Sequence, residues 1–292
     1  MIYSLLTLIV AALACSVLGV FLVLRRQSML TDAISHSVLL GIVLAFFITK
    51  SLDSPFLLVS ASISGLVAVL AIEKLGSSKY VKKDDAVGII YPMFFSIAVI
   101  LISRYAKNAH LDTDIVLLGE VIFVSLDTYN IFGMEIAKSF VNLSLMFLVN
   151  IVFIKLFFKE LKVATFDIVF AKTIGIPTGF LFYSIMVLTS ATSVMSFNAV
   201  GSILVVSFFI TSASIGLLLG KSLSNTLIIT CIFAIINSIE GFTLAYYLNV
   251  SMSGMVAFVS MVNFLLTIAI KNMKGKLNES STWEKWILNY NI

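Results

Sequence analysis

Long uncharged runs, broken by short clusters of Lys, Arg, Asp and Glu, organise this sequence. Residues 1–24, 54–72, 86–103 and 222–239 contain none of those four residue types, and 173–220 contain none over a length sufficient for two spans. A helix needs about 20 apolar residues to cross a bilayer, so the pattern predicts spans over 2–24, 33–49, 55–72, 86–103, 131–156, 176–195, 199–219, 225–248 and 253–270. Between the fourth and fifth, 111–124 is apolar but short and interrupted by Asp112, Asp114 and Glu120. It reads as an external or re-entrant helix, which leaves eight or nine transmembrane helices. In lipid only helices and closed barrels satisfy their own backbone, and the fold class expected is an all-α, polytopic integral membrane protein.

Composition agrees: of 292 residues, 60% are hydrophobic and only 12% charged, about half the charged share of a soluble domain. The net charge of +4 matters through its distribution. With alternate loops inside, 15 Lys and Arg fall on one side and only Lys50, Arg104, Lys107 and Lys138 on the other. The positive-inside rule then sets an outside N-terminus and a cytoplasmic C-terminus; it points to no nucleic acid. The first run ends in Arg25-Arg26 without a small-residue cleavage site and reads as a retained span. Cys15 and Cys231 lie in apolar runs and read as small buried side chains. The expected organisation is a transmembrane domain over 1–271 and a cytoplasmic tail over 272–292.

Since the longest polar segments are 73–85, 155–172 and the tail, energy must come from a partner or an ion gradient. Gly220-Lys221-Ser222 mimics the end of a phosphate-binding loop, but Ile215 stands where its first glycine is required. Neither an H-E-x-x-H nor a G-x-S-x-G pattern occurs, so the chain carries no sign of a hydrolytic site.

Ionisable groups inside a membrane are costly and mark function by default. Asp32 and His36, four apart in the second span, project from one helix face a turn from each other. A carboxylate and an imidazole so placed can grip one divalent cation, with Mn, Fe or Zn favoured over a soft ion. Two ligands make a weak site, which suits an ion that must leave. The competing reading has Asp32 stabilising the positive start of its helix, with His36 a neutral partner.

In the positive loop 155–172 and just beyond, 165–175 reads as a short amphipathic helix: Asp167 near its start complements the dipole, Phe166, Val169, Phe170 and Ile174 form an apolar face, and Gly175 and Pro177 end it. That face needs a partner or the lipid interface. His110, Asp112, Asp114 and Glu120 form an external cluster of donors that either receives metal, contacts a partner, or solvates a loop. Glu240 is placed near the outer end of its span, where it snorkels.

The run Arg25-Arg26-Gln27-Ser28-Met29-Leu30-Thr31-Asp32-Ala33-Ile34-Ser35-His36-Ser37-Val38-Leu39-Leu40-Gly41-Ile42 closely resembles the signature of the membrane subunit of zinc, manganese and iron ABC importers, approximately R-R-x-S-L-x-G-D-A-x-S-H-A-V-L-P-G-I. Blocks at 110–120, 161–175 and 196–205 follow in the family's order. The resemblance implies a type II importer fold in a bacterial cell membrane, with two permease subunits, identical or related. It also implies two cytoplasmic ABC ATPases that use the ATP, an extracellular metal-binding lipoprotein, and no permanently bound cofactor. Asp32 and His36 match the residues on the translocation path, and Phe166, Asp167, Ala171 and Gly175 match the coupling helix that meets the ATPase. Leu40, Ser212-Ala213 and Met252 replace prolines common in relatives, so those helices are expected to be straighter or differently kinked.

The reading favoured is therefore the permease of an ATP-driven divalent transition-metal importer. A gradient-driven secondary metal transporter is the alternative, and a structural membrane protein whose polar groups only cap helices is the third.

Overall fold

The computed structural model describes residues 2–50, 55–105, 121, 127–131 and 134–277. The helices are α1 (Ile2–Leu24), α2 (Met29–Thr49), α3 (Pro55–Gly76), α4 (Lys83–Tyr105), α5 (Lys138–Leu156), α6 (Phe158–Phe166), α7 (Ile168–Thr173), α8 (Thr178–Val200), α9 (Ser202–Ser207), α10 (Ala213–Leu219), α11 (Leu223–Leu248) and α12 (Met252–Leu277), with a π-helical turn over Phe208–Ser212. Among the described residues nine helical stretches are long and apolar enough to cross a membrane. α9, the π turn and α10 together make one of them.

α1 is the axis of the bundle. Its small residues Ala11, Ala12, Ala14 and Cys15 and its large residues Leu8, Leu18 and Phe21 are all fully buried, because it packs against α5, α8, α11 and the π turn at once. Ser16 donates to the Phe208 carbonyl (3.0 Å) at the start of that turn. Ser212-Ala213, in place of a proline, thus leaves an irregular helix: a π turn widens it, and α1 accommodates the shifted backbone. α2, which has Leu40 instead of a proline, runs unbroken.

Among the spans whose bounds differ from the sequence expectation, two have a visible cause. The fifth begins at Lys138, because Thr128–Ile131 and Met134–Ala137 pair as an antiparallel hairpin (β1, β2) with Thr128 opposite Ala137 and Ile131 opposite Met134. An ion pair between Asp127 and Lys138 (2.6 Å) closes its base. The hairpin is the one departure from an all-helical fold among the described residues. The sixth span continues to Val200 and stops at Gly201, whose φ of 80° and ψ of 157° belong to a region open almost only to glycine. Ser253 then donates to the Val200 carbonyl (2.8 Å), satisfying one group at the break.

α2 and α3 approach most closely at Gly41, where Ser60 donates to the Gly41 carbonyl (2.8 Å) and Ser64 to the Ser37 carbonyl (2.7 Å). A Cβ at position 41 would lie 2.4 Å from the Ser60 carbonyl oxygen and 2.7 Å from Ala61 Cα. Small residues permit such backbone approach. Gly41→Ala is expected to cost about 1–3 kcal/mol through overpacking, read as a lower thermal unfolding midpoint of the detergent-solubilised protein.

Candidate functional site

The turn that feeds α2 is tightly built. Gln27 N–H donates to the Leu22 carbonyl (2.8 Å) and Arg26 N–H to the Val23 carbonyl (3.0 Å), the paired bonds of a Schellman motif. The left-handed position of that motif is Arg26, at φ 56°, where a side chain with a Cβ is strained by about 1 kcal/mol. Thr31 then donates through its hydroxyl to the Ser28 carbonyl (2.7 Å), and Ser35 to the Thr31 carbonyl (2.8 Å). α2 consequently starts without a side-chain cap from Ser28, and Asp32 in its first turn is directed elsewhere.

Asp32 Oδ1 lies 3.5 Å from His36 Nε2, with 44% of the Asp32 side chain and 30% of the His36 side chain exposed in the single chain. A cation held about 2.1 Å from each atom at a roughly tetrahedral angle separates its two ligands by about 3.4 Å. The pair therefore already has the spacing of two ligands on one ion. The imidazole is fixed from the other side by α4: Tyr91 stacks on it (centroids 5.3 Å, planes 29° apart) and Phe95 meets it edge-on (5.7 Å, 83°). Between them in the sequence is Pro92, inside the same helix, which lacks an N–H and so leaves the Gly88 carbonyl without its helical donor. Among the described residues no three His, Cys, Asp or Glu side chains converge, so those residues bring together a candidate pair and not a fuller ligand set.

One turn below the pair, Arg26, Gln27 and Leu30 line a cavity with Glu73 from the end of α3, Asp84 from the start of α4 and Phe182 from α8. These loop ends lie together, as the alternating order of spans requires.

The segment 165–175 is two helices and not one. Asp167 is extended (φ −140°, ψ 97°), and its carboxylate accepts from Phe170 N–H (2.8 Å). An aspartate that captures the N–H three residues on starts a new helix, so α6 ends at Phe166 and α7 begins at Ile168. Leu161, Ala164 and Ala171 are buried, whereas Ile168, Val169, Phe170 and Ile174 are at least half exposed. Phe166 and Asp167 are half-buried between the two faces. Gly175, at φ 82°, ends the segment, and Pro177 precedes α8.

His110, Asp112, Asp114 and Glu120 lie outside the described residues. Glu240 is exposed, and Asn263 of α12 donates to its carboxylate (2.8 Å) and also to Asn237 Oδ1 (2.8 Å). Sequence reasoning missed Tyr91 and Phe95, which reach His36 only through helix packing. Pro92, inside an otherwise unbroken apolar run, is the signal that marked that helix as unusual.

The chain is similar to a zinc transport system membrane protein, TroD, of Treponema pallidum, 41% identical over 91% of this chain and 73% of that protein. It is 39% identical to a manganese transport system membrane protein, MntD, of Bacillus subtilis over 93% of this chain and 92% of that one. The solved structure of PsaBC from Streptococcus pneumoniae in complex with Fab superposes with a TM-score of 0.78 at 30% identity, covering 94% of this chain and 93% of that one. The model of the ABC 3 transport family matches residues 1–271. With the spans, the signature around Asp32 and the fold all agreeing, the chain belongs to the ABC 3 transport family of membrane permeases.

Proposed function

We propose that the chain is the transmembrane permease subunit of an ATP-driven importer of divalent transition metal, in which the cation passes Asp32 and His36. The observation that carries this is the Oδ1–Nε2 spacing of 3.5 Å on an open face of α2. One relative is named for zinc and another for manganese, and a carboxylate with an imidazole suits Mn, Zn and Fe alike. An acid and an imidazole exposed on a membrane-embedded surface need cover. A second permease, identical or related, meeting this face would bring four ligands together from two incomplete pairs.

The exposed apolar side chains of α7 fit a groove on a cytoplasmic ABC ATPase, one for each permease, with Phe166, Asp167, Ala171 and Gly175 shaping the docked segment. ATP is hydrolysed there and not by this chain. In this orientation the N-terminus is outside, the C-terminus is cytoplasmic, and His110, Asp112, Asp114 and Glu120 are the candidate contacts for an extracellular metal-binding lipoprotein or for the metal it delivers. No metal is held permanently; the ion is cargo. A gradient-driven carrier gives α7 no reason to leave Ile168, Val169 and Phe170 uncovered.

Asp32→Asn and His36→Gln are each expected to lower ATP-dependent manganese(II) uptake by the assembled complex in proteoliposomes about ten-fold or more, since even ligand-supporting groups carry that much affinity. Unchanged uptake in both, with normal insertion, removes the pair from the path. Uptake by the chain alone, without an ATPase, would establish the gradient-driven alternative instead. Asp167→Ala is expected to remove about 1 kcal/mol of capping, raise amide exchange at Phe170 about five-fold by mass spectrometry, and reduce uptake with Asp32 and His36 intact.

A further inference from the structure

The α6–α7 segment and the Asp32–His36 pair are separate in the chain, and a side chain in the turn that leads into α2 reaches the first of them. Arg25, the last residue of the α1 turn, donates from Nε to the hydroxyl of Thr165 (3.3 Å) across a separation of 140 residues. Its Nη2 is buried and has no hydrogen-bond partner among the described residues, and burial pushes the guanidinium below its ordinary pKa. A cation half removed from water, with one donor committed and another unmet, is costly to hold. Its position is therefore fixed by something other than its own solvation.

Both ends of this contact are stiff. Thr165 lies one residue before Phe166 and two before the capping Asp167, on a helix whose Leu161 and Ala164 are buried against the bundle. On the other side the Schellman bonds from Arg26 and Gln27 close the turn, and Leu30 N–H donates to the Gln27 carbonyl (3.0 Å). Thr31 then ties back to Ser28. Arg26 accepts a left-handed backbone where a glycine would be unstrained, so the paired bonds to Leu22 and Val23 hold the turn against about 1 kcal/mol of strain. Seven residues beyond Arg25 comes Asp32, and His36 follows a turn later.

We propose that Arg25 is a positioning residue that carries displacement of the α6–α7 segment into α2 through its bond to Thr165, and so sets when Asp32 and His36 hold or release the cation. The proposal rests on the import reading above. It assigns Arg25 no contact with the metal and no contact with ATP. Loss of the bond leaves the ATPase free to cycle while α2 follows it poorly.

The test uses the permease–ATPase complex in proteoliposomes, with manganese(II) as the transported probe and ATP hydrolysis measured in parallel. Thr165→Val keeps the shape of the side chain and removes its hydroxyl; Thr165→Ser keeps the hydroxyl. In the valine variant ATP hydrolysed per manganese(II) imported is expected to rise about five-fold, the low end of coupling between linked sites. The serine variant should return to the native ratio. Arg25→Gln should raise the ratio as much as Thr165→Val, and the double variant no further, the mark of one shared interaction. A merely structural role would lower the thermal midpoint or the amount of complex, and would leave the ratio alone. An unchanged ratio in both Thr165→Val and Arg25→Gln, in a complex whose native form couples, overturns the proposal and leaves the import reading standing. A native complex that hydrolyses ATP without importing manganese(II), zinc(II) or iron(II) overturns the import reading, and the role of Arg25 with it.

Discussion

Hydrocarbon supplies no hydrogen-bond partner, and the polar side chains of this bundle are placed by that restriction. Ser16 reaches the Phe208 carbonyl, Ser60 and Ser64 reach carbonyls of α2, and Ser190 reaches Ser62. Asn150, fully buried, donates both to Ala14 and to Thr192. Each of these contacts joins two helices, so the satisfaction of a polar group and the choice of a packing neighbour are the same event. Lys271 follows the rule at a helix end, donating to the Leu218 carbonyl (2.7 Å) and completing the last turn of α10.

Asp32 and His36 depart from that pattern. They face each other, but both keep an open side, and the aromatic pair on α4 packs on the imidazole. Glu240, also exposed, differs in having an amide donor from a neighbouring helix, since Asn263 donates both to its carboxylate and to Asn237. An acidic group with its partners supplied stabilises packing, whereas one left partly unpartnered is available to something that arrives.

The spans were legible because hydropathy is a property of whole segments and survives errors of a few residues at each end. The Asp32–His36 pair was legible because a four-residue spacing on a helix is nearly a contact. Three features were not. Residues 128–137 place Tyr129 and Ile131 on one strand and Ile136 on the other, and a short apolar stretch beside a long one reads as its extension. The break at Asp167 was hidden by Phe166, Val169, Phe170 and Ile174, whose spacing continues across it. An aspartate just ahead of Ile168-Val169-Phe170 was the available sign that a second helix starts there. Tyr91 and Phe95 were invisible for a plainer reason, since which helix packs on α2 is decided by the assembled bundle. The π turn leaves the helix at Ser212-Ala213 irregular without a proline, the second of the two shapes expected there.

The serine bonds at Gly41 and Ser37 have a mechanical side. They run from hydroxyls on α3 to main-chain carbonyls of α2, at points a turn apart, with the backbones nearly touching. Two helices stapled in this way tilt as one lever. A rotation that swings the acid and the imidazole therefore also loads α3, whose far end carries Glu73 at the wall of the cavity.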